Sequence, residues 1–333
     1  MRLATIELPV DDNVDVRVAA LADDGHTLHL LDPGTRLETL VGGGLPALLD
    51  AGDRALATPA AASLDTVRLL PPLHPPALRD FVAFEEHVEG VVRSVTGTGT
   101  VVDEWYAAPT FYFTNPHTLI GAADPVEIPP GCQALDFELE VAAVIGVGGR
   151  NLDVAAARDA IVGYTIMNDW SARDLQRAEM KVGLGPAKGK DFASTLGPWL
   201  VTADEVEASH DGDGFLDLRM TVTVNDRLVG WDNLANMSWT FAELAAYASR
   251  GSVLHPGDVL ASGTCGNGGC LAELWGRNGV IDPPTLRSGD AVTMTVDGLG
   301  MLRNTVIRGG DAHPIPPARR RSPSARSARR SWR

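Results

Sequence analysis

The stretch Leu135-Asp136-Phe137-Glu138-Leu139-Glu140-Val141-Ala142-Ala143-Val144-Ile145-Gly146 constrains the fold more than any other. Apolar and polar residues alternate with the period of a strand, so Phe137, Leu139 and Val141 face one way while Asp136, Glu138 and Glu140 face the other. Ionised carboxylates at every second position repel one another, and the run continues into Val141 to Ile145, which reads as buried core. A lone Glu-x-Glu is most simply the wet face of an edge strand. Buried, the same three acids require cations.

With 333 residues the chain can bury a large core, as one big domain or as a small one plus a larger one. Its formal charge is −15, but seven of its 28 Lys+Arg residues are arginines between Arg319 and Arg333; the other 21 face 43 acids, leaving the body near −22. So acidic a surface disfavours nucleic-acid binding and does not steer anions, so an anionic substrate must be caught by local cations. The apolar runs are too short to span a bilayer, and Met1-Arg2-Leu3-Ala4-Thr5 leads to Glu7 and Asp11 rather than to a signal-peptide core, so the expected location is the cytoplasm. Three cysteines, Cys132, Cys265 and Cys270, fit a reducing compartment.

Residues 1–70 carry strand-like runs at Val16 to Ala20 and His26 to Leu31 and a helix-like stretch from Thr39 to Ala51, and are expected to form a small structural domain. The proline-rich residues 71–77 read as a linker. From Ala77 to Val95, Phe81, Phe84, Val88, Val91 and Val95 recur at helical spacing, predicting an amphipathic helix over at least the later part. Asp80 and His87 stand seven apart, about 10 Å of rise on a continuous helix, too far to share one ion. Taken alone, His87 reads as a surface helix residue. Ser171 and Asp174 form a capping signature for a helix from Ala172 to Met180, on which Arg173 and Gln176 share a face. The glycine-rich Val182 to Asp191 lacks the spacing of a phosphate loop, and Asp191 stands where Ser or Thr is needed. Beyond Phe215 the pattern is β-rich, with one helix from Thr240 to Arg250. Cys265 and Cys270 have no His or further Cys nearby in the chain and read as packing or loop thiols. Residues 313–333 hold too few apolar groups to fold and read as a disordered tail.

Taken in order, Leu135-Asp136-Phe137-Glu138-Leu139-Glu140, Met167-Asn168-Asp169-Trp170-Ser171-Ala172-Arg173-Asp174-Leu175-Gln176, Gly189-Lys190-Asp191-Phe192, Pro256 to Thr264 and Gly298 to Val306 resemble the fumarylacetoacetate hydrolase family over residues 78–308. The resemblance implies an α+β, β-rich fold: a mixed β-roll catalytic domain, here residues 78–310, preceded by a small N-terminal domain, usually in a homodimer. It implies Mg²⁺ or Ca²⁺ held by Asp80, Glu138, Glu140 and Asp169. Four carboxylates without Cys or His are hard-oxygen donors that also suit Mn²⁺.

The implied activity is metal-dependent hydrolysis of a carbon–carbon bond in a 1,3-dioxo acid, of fumarylacetoacetate or acylpyruvate type, in aromatic catabolism. His87 would be the base, with Glu273 or Glu89 as its carboxylate partner. Arg173, Gln176 and Lys190 would stabilise oxyanions, protonate the carbanion or grip a substrate carboxylate, and Tyr112 and Thr264 would contact substrate. The loop between Thr264 and Glu273 is short for the tyrosine-pathway enzyme, which leaves the acyl group open. Alternatives on the same fold are an isomerase or decarboxylase of 2-oxo dioates and an oxaloacetate decarboxylase; outside the enzyme class stands a catalytically inactive family member serving as a binding protein.

Overall fold

The computed structural model describes residues 1–10 and 13–320. Strand Leu139–Ile145 is its hub, buried at every residue and paired antiparallel with Ile161–Asp169 on one side and Val259–Ala261 on the other. The acidic stretch is thus interior, not the wet edge that Glu-x-Glu alone indicates. The reason is that both faces of the hub are covered. Leu139, Val141, Ala143 and Ile145 pack in the main core with Phe137 and Trp170, while Ala142 and Val144 join a second core with Leu3, Val18, Leu48 and Leu73.

Nor is the stretch one continuous strand. Leu135–Asp136 pairs separately with Ser171–Ala172, and the ladder breaks at Phe137 and Glu138 before resuming at Leu139. The break is satisfied by side chains: Phe137 N–H donates to Asp136 Oδ1 at 2.8 Å and Glu138 N–H to Asn168 Oδ1 at 2.9 Å. It turns Asp136 and Glu138 toward different partners.

The fold is α+β and β-rich. The main sheet runs in the order Ala62–Ser63, Thr27–Leu30, Asn13–Leu21, Arg2–Val10, Ser194–Thr202, Ile161–Asp169, Leu139–Ile145, Val259–Ala261, Leu78–Phe81 and Phe111–Thr114. Strand Arg2–Val10 enters it through Arg2 opposite Val201 and Leu3 opposite Leu200. Between these N-terminal strands and the hub half of the sheet, Pro71, Pro72, Leu73 and Pro75 are buried, with Thr5 Oγ1 donating to the Pro72 carbonyl at 2.6 Å. A second sheet orders Arg227–Asn233, Arg219–Val224, Ala291–Val296, Gly300–Ile307 and Val126–Glu127. Residues 310–320 are exposed and without regular structure; the expected tail from 321 onward lies outside the described residues.

Two expected helices differ in extent. Ala77 to Val95 begins as strand Leu78–Phe81, and the helix starts only at Glu85 and ends at Thr96. Phe81 and Phe84 serve as buried anchors on either side of that change rather than as helix positions. Asp80 therefore comes from a strand and His87 from the following helix, so the helical separation argued from their spacing does not apply. Helix Arg173–Met180 starts without a side-chain cap: its N-cap is Ala172, Ser171 Oγ donates to the Asp169 carbonyl at 3.1 Å, and Asp174 Oδ2 accepts the Gln133 N–H at 2.8 Å. Helix Phe241–Ser249 opens with a reciprocal capping box between Thr240 and Glu243.

Register places Asp80. Leu78–Phe81 pairs in parallel with Val259–Ala261, which sets Asp80 beside Ala261, itself beside Ala142 of the hub. The pairing is locked by a buried ion pair, Arg79 Nη1 to Asp258 Oδ2 at 2.9 Å, with the guanidinium 5.1 Å from the Phe113 ring centroid. Removing one member of such a pair leaves a buried charge uncompensated. Arg79→Met should therefore lower unfolding free energy by about 3–5 kcal/mol in urea titrations, and adding Asp258→Asn should restore part of it. A loss below about 1 kcal/mol would mean that the pair does not hold this edge.

Candidate active site

The hub strand and the break just before it, strand Leu78–Phe81 and the end of strand Ile161–Asp169 deliver four buried carboxylates to one place. Oxygens of Asp80, Glu138 and Glu140 lie within 4.8 Å of one another. Asp169 joins them through Lys190, whose Nζ donates to Asp169 Oδ2 at 2.7 Å and also to Glu138 Oε2. Tyr112 donates its hydroxyl to the same Asp169 oxygen, and Thr264 Oγ1 approaches Glu140 Oε1 at 3.5 Å. Burial, reinforced by Asp169, pushes the Asp80 carboxyl well above the usual range, and burial with Asp80 does the same to Glu140. For Glu138 burial also acts upward, but Lys190 and Arg173 outweigh it and hold the group down at about 2.

This donor set fits a hard divalent cation. It is all oxygen, and two of its buried oxygens, Asp80 Oδ1 and Glu140 Oε2, have no hydrogen-bond partner. The nearby positive charge is Lys190 and Arg173, and Arg173 is shared: its Nε donates to Asp136 at 2.8 Å while Nη2 lies 2.7 Å from Glu138 Oε1. Arg173 Nη1 also donates to Gln176 Oε1 at 3.2 Å. Arg173 is thus a buried residue of the site.

Asp136, the first acid of the stretch, does a different job from Glu138 and Glu140. Its oxygens accept Leu271 N–H at 2.8 Å and Ala272 N–H at 3.0 Å, capping helix Leu271–Asn278 while anchoring Arg173. Alternation in the sequence groups it with its neighbours; only the break at Phe137 separates them.

The helix so capped carries Glu273, and helix Glu85–Thr96 carries His87. His87 is buried, contrary to its reading as a surface position, with Nδ1 3.7 Å from Glu273 Oε2. Of the two carboxylates open from sequence, Glu273 is the one beside His87, and Glu89 is exposed. Glycine makes this approach feasible: a Cβ on Gly90 would lie 2.3 Å from Glu273 Cγ, and one on Gly276 would lie 2.1 Å from the Gly90 carbonyl. Glu273 is oriented from its other oxygen, which accepts the Gly268 N–H at 3.2 Å and faces Arg277 Nη2 at 2.6 Å. Arg277 was not singled out from sequence; a Glu-to-Arg i,i+4 pair is its only local signal. Cys270 corrects the reading of both loop cysteines as chemically isolated, since its Sγ lies 3.8 Å from His87 Nδ1.

The chain matches the family model for the fumarylacetoacetate hydrolase C-terminal domain over residues 77–307. Among curated proteins it is 31% identical over 277 residues to a fumarylacetoacetase of Arabidopsis thaliana, covering 69% of this chain and 65% of that protein. It is 36% identical over 192 residues to an oxaloacetate tautomerase of Xenopus laevis, covering 57% and 55%. The chain thus spans less than two thirds of these relatives' lengths. Among solved structures, a fumarylacetoacetate hydrolase of Exiguobacterium antarcticum superposes with TM-score 0.70 at 26% identity, and a 5-carboxymethyl-2-hydroxymuconate delta-isomerase of Mycobacterium smegmatis with 0.66 at 26%, each covering 93% of this chain and 100% of the other.

Protons and a cation compete for Asp80 and Glu140, so Mg²⁺ binding should release protons. Apparent affinity should then rise with pH, and calorimetric heats should differ between buffers of unlike ionisation enthalpy. Glu140→Gln should weaken binding by about tenfold or more. Equal heats in both buffers with pH-independent affinity would contradict the raised carboxyls.

Proposed function

The chain belongs to the fumarylacetoacetate hydrolase family, and from that premise we propose that it hydrolyses a carbon–carbon bond in a 1,3-dioxo acid of acylpyruvate or fumarylacetoacetate type. The observation that carries this reading is the His87–Glu273 pair beside the carboxylate cluster, a base with a carboxylate behind it of the kind that hydrolysis needs to activate water. Asp80, Glu138, Glu140 and Asp169 would hold Mg²⁺ or Ca²⁺, which when bound supplies a Lewis acid for the two substrate oxygens.

His87 Nδ1 faces Glu273, which leaves Nε2 to take a proton from water. Glu273, fixed by Arg277 and the Gly268 N–H, stabilises the imidazolium that results. The water oxygen adds to the carbonyl carbon, the bond to the central carbon breaks, and its electron pair leaves as an enolate that takes up a proton. Lys190 serves as fixed positive charge: burial alone would lower its pKa, but Asp169 and Glu138 raise the ammonium above its ordinary range. Arg173, with Gln176 beside it, offers the same kind of charge to a developing oxyanion or a substrate carboxylate.

A second reading is tautomerisation or isomerisation of a 2-oxo dioate, supported by the names of the Xenopus relative and the Mycobacterium smegmatis structure. It uses the enolate but no water.

The readings separate in one assay. With Mg²⁺, loss of the enol absorbance of acetylpyruvate should yield acetate and pyruvate, and His87→Asn should lower kcat by about 10²- to 10⁴-fold while Mg²⁺ binding persists. No cleavage of acetylpyruvate, fumarylpyruvate or fumarylacetoacetate, or full turnover in His87→Asn, would overturn the hydrolase reading in favour of the second.

A further inference from the structure

Cys270 has no part in the chemistry above, yet the fold seats it beside the base. Its Sγ caps helix Leu271–Asn278 by accepting the Glu273 N–H at 3.4 Å, and lies 3.8 Å from His87 Nδ1. Glu138 completes the group: one ligand atom each from His87, Glu138 and Cys270 lies within 4.8 Å of the others, and all three residues are buried. A thiol, an imidazole and a carboxylate form a different donor set from the all-oxygen cluster next to them, and their combination suits Zn²⁺. Tetrahedral Zn²⁺ bonds place sulfur and nitrogen about 3.6 Å apart, close to the 3.8 Å found. Independently, Glu273 Oε2 is buried, has no hydrogen-bond partner and points at the same Nδ1 from 3.7 Å, a further oxygen aimed into this space.

We propose that His87, Cys270 and Glu138 form a second, thiophilic metal site that takes Zn²⁺. Coordination replaces the Cys270 thiol proton, which leaves to solvent, and involves no redox change. It engages His87 Nδ1 and so withdraws the imidazole from Glu273. Glu138 belongs to both donor sets, so Zn²⁺ and the hard cation antagonise each other, each weakening the other by the same factor. The consequence for turnover, inhibition by Zn²⁺, rests on the hydrolase reading; the site itself does not.

Co²⁺ gives the test a signature independent of activity. Added to metal-stripped full-length protein, Co²⁺ should produce a thiolate-to-cobalt charge-transfer band that saturates at one equivalent and disappears when Zn²⁺ is added. Cys270→Ser keeps an oxygen cap for the Glu273 N–H, so it should fold, retain Mn²⁺ binding by electron paramagnetic resonance, and lose the band. Absence of the band in the unaltered protein, or its survival in Cys270→Ser, which would assign it to Cys132 or Cys265, overturns the proposal. On a dioxo-acid substrate with Mg²⁺ present, Zn²⁺ should inhibit at least about tenfold less strongly in Cys270→Ser. A band without inhibition of a working hydrolase overturns the inhibitory consequence. If none of the dioxo acids is cleaved, the cobalt spectrum still decides the site.

Discussion

Asp80, Asp136, Glu138, Glu140 and Asp169 are sunk together into the interior, where the cations facing them are Lys190 and Arg173. Burying charge at this density is sustained only by pairing, and the pairing here is incomplete. Lys190 joins Glu138 to Asp169 and Arg173 joins Asp136 to Glu138, while Asp80 and Glu140 each keep an oxygen without a partner. An interior left short of positive charge on one side is built for a cation. The rest of the fold serves to hold these acids still. The hub strand supplies Glu140, the break just before it Glu138, the short strand Leu135–Asp136 the residue Asp136 and the neighbouring Ile161–Asp169 the residue Asp169, while the Arg79–Asp258 pair fixes the strand that supplies Asp80.

The same stretch also positions the proton-transfer pair. Asp136 caps the helix of Glu273, and close contact of that helix with Glu85–Thr96 at Gly90 and Gly276 brings Glu273 onto His87. Carboxylate cluster and His87–Glu273 pair are therefore coupled through a two-residue interruption of one strand, at Phe137 and Glu138.

Much of this was legible in the chain. The burial of Val141 to Ile145 follows from their run of apolar residues, and the structure brings Asp80, Glu138, Glu140, Asp169, Lys190 and Arg173 into one buried group while leaving Glu89 exposed. Other features were not legible, for identifiable reasons. The point where the helix begins was not legible, because Phe81 and Phe84 fit a helical spacing as well as they fit a strand end followed by a turn, so a continuous helix through Asp80 and His87 stayed open. Asp136 read as a third equivalent acid because alternation does not reveal a break. Cys270 read as a packing or loop thiol because His87 meets it only through the packing of two helices, a contact that sequence separation conceals, and the i,i+4 spacing of Glu273 and Arg277 is too common a pattern to mark a site.

The central claim is that the carboxylates are arranged around a divalent cation. Anomalous scattering from crystals grown with Mn²⁺ tests it most directly. The account predicts a manganese peak about 2.0–2.6 Å from oxygens of Glu138, Glu140 and Asp169, with Asp80 turned toward it. Full-occupancy density for the four side chains with no manganese peak among them, and Lys190 still joining Glu138 to Asp169, would contradict it.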